Sequence, residues 1–177
     1  NLGYLYEHGT VVPQNFIQAI KLYKSSAEKN NIDALHALGS IYYNGEYIDS
    51  DIEKSIEYYK RCIYAYENSR DINETIYFMK RYLIKYYLSC NDLGLIYLTI
   101  KQNENDRKIV EKYFVDASLS NFSFSLNNFG LFCQFYLKDI TKAKYYYEKA
   151  SESKFALADF NLGYLYEMQG LIEQSIE

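Results

Sequence analysis

The chain has 177 residues, 49% of them apolar, 18% aromatic and 24% charged, with a single proline and eight glycines. It is too apolar for a disordered chain and too poor in glycine and proline for a collagen-like one, and its apolar runs fall short of the roughly 18 residues that a membrane span requires. Nineteen basic against 23 acidic residues leave a net charge of −4, so the basic excess expected of a nucleic-acid-binding protein is missing.

The first predicted helix carries Asn-Leu-Gly-Tyr-Leu-Tyr-Glu at residues 1–7, and the same seven residues return unchanged at 161–167. Aligned on its glycine, the pattern recurs around Gly39, Gly94 and Gly130, so the anchors Gly3, Gly39, Gly94, Gly130 and Gly163 lie 36, 55, 36 and 33 residues apart. Leu2, Leu38, Leu93, Phe129 and Leu162 precede the anchor by one, and Tyr6, Tyr42, Tyr97, Cys133 and Tyr166 follow it by three. That spacing of four sets both columns on one helical face. Ala34, Ser89, Ser125 and Ala158, all small, stand five residues before their anchors. A glycine inside a helix costs about 1 kcal/mol against alanine, so five of them call for a compensating close approach of a second helix.

Between successive anchors lies a second amphipathic segment, at 15–29, 51–67, 106–120 and 139–153, with Asn15, Asp51, Asp106 and Asp139 at cap positions. Ile20, Tyr23 and Ala27 in the first, and Ile56, Tyr59 and Ile63 in the second, repeat at helical spacing. Neither helix of a pair can bury its apolar stripe alone, so successive pairs must stack. The expected fold is all-α, an array of antiparallel helix pairs with units at about 1–31, 32–69, 87–121, 122–154 and 155–177. The 55-residue interval holds an insertion at about 70–87, where Asp71 and Glu74 offer a capping box. Periodicity leaves open whether this is a separate helix or an extension of the third anchor helix.

The Leu-Gly-x-x-Tyr-x-x-Gly pattern, complete at Gly3 with Gly9 and at Gly39 with Gly45, resembles the Sel-1-like repeat of the tetratricopeptide superfamily. Ile100 and Tyr136 stand where the second glycine belongs in units three and four, and the tight Leu137-Lys138-Asp139 loop of unit four is similar to tetratricopeptide geometry. The resemblance implies an α-solenoid with a right-handed superhelix, and a non-enzymatic scaffold or adaptor that binds a protein or peptide segment in a concave groove. The alternative is a regulatory repeat region of a larger enzyme such as a kinase, or a weak hydrolase.

Carried onto this chain, the family's inner-face positions give Tyr4, Glu7 and His8 in the first unit and Asp33, His36, Ser40, Tyr43 and Asn44 in the second. The third unit supplies Asn91, Leu95 and Leu98, the fourth Asn127, Leu131, Gln134 and Phe135, and the fifth Phe160 and Tyr164. The implied groove is polar at one end and apolar at the other.

No catalytic constellation is expected. The glycine pairs lack the Lys-Ser/Thr of a phosphate-binding loop. His8 and His36 fall near opposite ends of neighbouring helices, too far apart to share a metal, and no cofactor is expected. Cys62, Cys90 and Cys133 form no CxxC spacing and read as reduced core side chains, which favours the cytoplasm over a secretory lumen. The two ends cut through repeat units, leaving apolar faces that favour end-to-end self-association.

Overall fold

The computed structural model describes residues 2–69, 76–100 and 104–176. Among the described residues there are nine α-helices and no strand: α1 (Leu2–His8), α2 (Phe16–Ala27), α3 (Ile32–Asn44), α4 (Ile52–Asn68), α5 (Ile76–Thr99), α6 (Glu104–Ser118), α7 (Ser123–Phe132), α8 (Ile140–Ser151) and α9 (Ala156–Ile176). A π-helical turn, Cys133–Leu137, continues α7. The expected all-α fold of paired helices is the observed one. The chain divides into two compact units, Asn1–Ile96 and Tyr97–Glu177.

Caps set the helix starts. The side chains of Asn15, Asp51 and Asp139 accept from the backbone amides of Gln18, Lys54 and Lys142 at 2.9–3.0 Å, as the sequence suggests. Asp106 is not a cap, because α6 already begins at Glu104. The proposed capping box at Asp71 and Glu74 lies outside the described residues. The rest of the insertion runs without a break into the third anchor helix, since α5 extends from Ile76 to Thr99.

In the first unit α1 pairs with α2, and α3 with α4. The pairs are antiparallel: Asn15 N–H donates to Tyr6 O near one end of the first pair, while Tyr23 lies against Gly3 near the other. The second pair repeats this through Asp51 N–H to Tyr42 O and Tyr59 against Gly39. The α1–α2 and α3–α4 loops both turn on a glycine in the left-handed region, Gly9 at φ 63° and Gly45 at φ 66°, which other residues enter only with strain. Leu35, Leu38, Ala27, Ile32 and Cys62 close the core between these helices.

In the second unit α7 pairs with α8, and Gly130 meets Tyr147. The loop is built differently because Tyr136 replaces the second glycine. The π turn widens the end of the helix, and Lys138 takes the left-handed position at φ 57° instead. Asp139 N–H still reaches Cys133 O at 2.9 Å. The carbonyl three after the anchor, of Tyr6, Tyr42 or Cys133, therefore accepts from the amide of the next helix's cap residue in all three pairs, although the loops differ in length. Phe114, Phe129 and Phe132 fill the core of this unit, and the Ser151 hydroxyl donates to Asp159 to tie α8 to α9.

Candidate functional site

The anchor glycines are seats for tyrosine rings. A Cβ placed on Gly3 would lie 2.9 Å from the Tyr23 ring, on Gly39 2.7 Å from Tyr59, and on Gly130 2.6 Å from Tyr147. Carbon atoms in ordinary contact stand about 3.5–4.0 Å apart, so no side chain fits under these rings. One turn before each tyrosine comes a small residue, Ala19, Ser55 or Ala143, all buried. Ser55 goes further and donates its hydroxyl to Gly39 O at 2.8 Å.

Each ring also carries a hydroxyl that must find a partner once it leaves water. Tyr23 donates to Glu7 Oε2 at 2.7 Å, and Tyr147 to Gln134 Oε1 at 2.7 Å. Glu7 and Gln134 both stand four residues after their anchors. Tyr59, with Tyr43 in that position, turns to Asp92 and Ser40 instead. Burial raises the hydroxyl pKa of all three tyrosines, with Glu7 adding to the effect on Tyr23 and Asp92 to that on Tyr59. Glu7 and Gln134 thus brace their helix pairs, Glu7 in the first unit and Gln134 in the second.

Beside Glu7, the first unit holds a recess of about 290 Å³. Tyr4, Glu7, Asp33, His36, Ser40 and Asn44 all line it. These are six of the eight residues expected on this face, drawn together from α1 and α3. His8 instead stacks on Tyr4, with ring centroids 3.9 Å apart, and Tyr43 is exposed. Arg81 and Lys85 close the recess from α5, and Glu46 and Tyr47 from the α3–α4 loop. Arg81 Nε pairs with Asp33 Oδ1 at 2.9 Å.

Sequence reasoning missed Arg81 and Lys85 because the repeat offsets end six residues before the anchor, whereas α5 is longer than a repeat helix. Their signal was the spacing of four between two cations on a segment already expected to be helical.

Among the residues lining the recess, His36 is neutral. Burial lowers the His36 pKa to about 3, with Lys85 adding to the effect, so the imidazole carries no charge near neutrality. Its Nε2 is buried without a hydrogen-bond partner, 4.0 Å from Asp92 Oδ2, and this contact is not an ion pair. Burial raises the Asp92 carboxyl, against the hydrogen bonds it receives from Tyr59 and Asn91.

The remaining residues expected on the inner face separate by burial. Asn91 is buried, with Nδ2 on Asp92 Oδ1 at 3.2 Å, and Asn127 is fully buried, its Oδ1 accepting from Asn161 at 2.8 Å. Leu95, Leu98 and Leu131 are half-buried, while Phe135, Phe160 and Tyr164 are exposed. In the second unit Gln134 and Phe135 join Ile140, Leu165 and Met168 around an apolar hollow of about 420 Å³.

Among the described residues, no group of three or more His, Cys, Asp or Glu side chains could hold a metal ion, and no helix is long and apolar enough to cross a membrane. Cys62, Cys90 and Cys133 are buried. Burial raises the thiols of Cys62 to about 11 and Cys133 to about 12, which leaves them unreactive.

Helix pairs repeated along the chain, three of them locked by a tyrosine ring on a glycine, define a helical repeat protein. The Sel1 repeat model matches residues 1–31, 32–61, 126–155 and 156–177, more than half of the chain, and the protein belongs to that family. Sel1 repeats are in general protein–protein interaction modules and typically non-catalytic. Among solved structures, a Sel1 repeat protein from Oxalobacter formigenes is similar with a TM-score of 0.66 and 20% identity, over 93% of this chain and 43% of that one. The antigen c5321 of uropathogenic Escherichia coli, which has an SLR fold, matches with a TM-score of 0.43 and 23% identity over 96% of this chain and 40% of its own. The chain thus spans less than half the length of either. No curated protein matches the sequence significantly.

Proposed function

We propose that the chain is a non-catalytic docking module that takes a segment of a partner protein on the inner faces of its anchor helices, with the recess of the first unit as the main contact. The observation that supports this reading is the convergence of Tyr4, Ser40 and Asn44, with Arg81 and Lys85, on one polar hollow. Its chemistry suits an extended peptide. The Ser40 hydroxyl and the exposed Asn44 amide can meet backbone groups, and the Tyr4 and Tyr47 rings offer flat apolar contact at low entropic cost. Carboxylates at Glu7 and Glu46 stand with cations at Arg81 and Lys85, so a segment bearing both signs of charge is favoured over a polyanion. That preference accords with the net charge of −4.

The experiment is selection of binders from a random-peptide library on the intact chain, followed by affinity measurement against single variants. Tyr4→Ala and Asn44→Ala should each weaken the selected peptides about tenfold, close to 1.4 kcal/mol, with the melting temperature unchanged. Tyr64→Ala, an exposed change on α4, should leave binding intact. Peptides that bind equally to all three variants would refute the assignment.

A further inference from the structure

The charges around the recess of the first unit do not balance contact by contact. Glu7 Oε2 accepts the Tyr23 hydroxyl, Asp33 pairs with Arg81, and Asp92, 4.0 Å from His36 Nε2, accepts from Tyr59 and Asn91. At the exposed rim Glu46 bonds the side chain of Tyr47. Each of these carboxylates therefore has a partner. Of the two cations that close the recess, Arg81 is answered by Asp33, whereas Lys85 makes no ion pair among the described residues. Local rules do not favour a lysine there. It stands four residues from Arg81 on α5, a like-charge spacing that destabilises a helix, and it is half-buried, so water and salt screen its charge only in part. That charge helps to depress the His36 imidazole and opposes the rise at Cys62 and Asp92, three groups largely out of water, which sets the ammonium toward the inner side of the recess. A half-buried cation beside another cation, with no carboxylate to meet it, is a local conflict of the kind that natural chains keep at functional positions.

We propose that the segment docked in this recess carries an Asp or Glu side chain that pairs with the Lys85 ammonium, so that Lys85 selects the partner; the inference rests on the docking function proposed above. The pair supplies the one countercharge that the chain itself withholds. A side chain fits better than a chain terminus for a reason of placement. The α3 residues that line the recess run from Asp33 to Asn44, and His36, the one beside the Lys85 charge, lies between them. Lining groups therefore continue past Lys85 in both directions, and a backbone held on Ser40 and Asn44 can send a carboxylate inward without ending there. Arg81 does not compete for it, because Asp33 Oδ1 already stands 2.9 Å from its Nε. His36, neutral and without a hydrogen bond at Nε2, adds no second cation.

A charge-exchange cycle tests the pairing, with peptides selected from a random library on the 177-residue chain and affinities read by calorimetry. The selected peptides should share one acidic position, and its change to the matching amide should weaken binding about tenfold. Lys85→Gln should weaken the acidic peptide by a similar factor, with the melting temperature unchanged or raised, and should bind the amide peptide as the parent chain does. Lys85→Glu should prefer a peptide with Lys at that position. Full affinity of the acidic peptide for Lys85→Gln, or losses that simply multiply when both changes are combined, would overturn the pairing. The docking function would survive that result if Tyr4→Ala and Asn44→Ala still weaken the same peptides; peptides indifferent to those two variants as well would overturn both. Each peptide is made with a free and an amidated C-terminus, and the two should bind alike; binding that needs the free terminus would overturn the side-chain assignment. Should Lys85→Gln lose helicity by circular dichroism, the acid-to-amide exchange on the parent chain decides, and no loss of affinity there would overturn the proposal.

Discussion

Gly39→Ala and Gly163→Ala make the same chemical change in the same column of the repeat, and their effects on stability should have opposite signs. At position 39 the new methyl would lie 2.7 Å from Cδ1 and Cε1 of Tyr59, about 1 Å inside ordinary contact. The ring has nowhere to retreat: it is 1% exposed, and α4 is held to α3 by the Ser55 bond to Gly39 O. Overpacking of this kind costs about 1–3 kcal/mol, and a ring pushed outward also strains its hydroxyl bonds, worth about 1 kcal/mol. The gain in helix propensity returns about 1 kcal/mol, which leaves Gly39→Ala destabilising by about 1–3 kcal/mol. At position 163 only the propensity gain of about 1 kcal/mol remains. Gly130→Ala should match Gly39→Ala, and Gly3→Ala should be milder at 2.9 Å. Urea unfolding of dilute protein, followed by far-ultraviolet circular dichroism, reads all four. Gly39→Ala as stable as the parent, or changing in the same direction as Gly163→Ala, would refute the tyrosine seat.

Ser55→Ala removes a buried hydroxyl whose acceptor, Gly39 O, is also buried, and should cost about 1 kcal/mol in the same assay; no loss would show the bond to be incidental. His36 gives a signed pH dependence. Its folded pKa of about 3 lies below the ordinary 6.5, so its contribution is complete above 6.5 and is lost as pH falls toward 3, by about 1.4 kcal/mol per unit through that window. The raised Asp92 carboxyl works the other way, holding its proton in the folded state and favouring folding as pH falls. Urea midpoints measured against pH should therefore show an acid limb that His36→Phe flattens and Asp92→Asn steepens; an unchanged limb in His36→Phe would contradict the neutral imidazole. Cys62 and Cys133, with thiols raised by burial, should resist alkylation until unfolding, and labelling of the native chain by mass spectrometry would count against that burial.

The sequence disclosed the helix pairs because a glycine weakens a helix, and five of them in one register call for a close neighbour; the structure supplies a ring at Gly3, Gly39 and Gly130, whereas Gly163 is open, so the expectation fails there. It disclosed the helix starts at Asn15, Asp51 and Asp139 for a local reason, since a cap is a bond between a side chain and an amide three residues on. The tyrosine seat was half legible: the glycine column showed that something approaches closely, while Tyr23 and Tyr59 were read only as part of an apolar stripe, and Tyr147 and the small column Ala19, Ser55, Ala143 emerged from the structure. The π turn was hidden because Lys138 is an ordinary residue, and only the missing glycine at Tyr136 hinted that the chain would turn by another route. Of the candidate site, six residues on α1 and α3 followed from repeat positions. Arg81 and Lys85 did not, because the elongated α5 brings them to the recess from outside the repeat register. Burial separates side chains that repeat position alone treats alike: Asn127 and Asn44 were both expected on the inner face, yet one lies in the core and the other in water.

The central claim is that the inner faces of α1, α3 and α5 receive a partner segment, and amide chemical-shift mapping of the first unit with a library-selected peptide tests it most directly. The account predicts perturbations clustered at Tyr4, Ser40, Asn44 and Arg81. Perturbations confined to the exposed surfaces of α2 and α4, with those four positions silent, would contradict it.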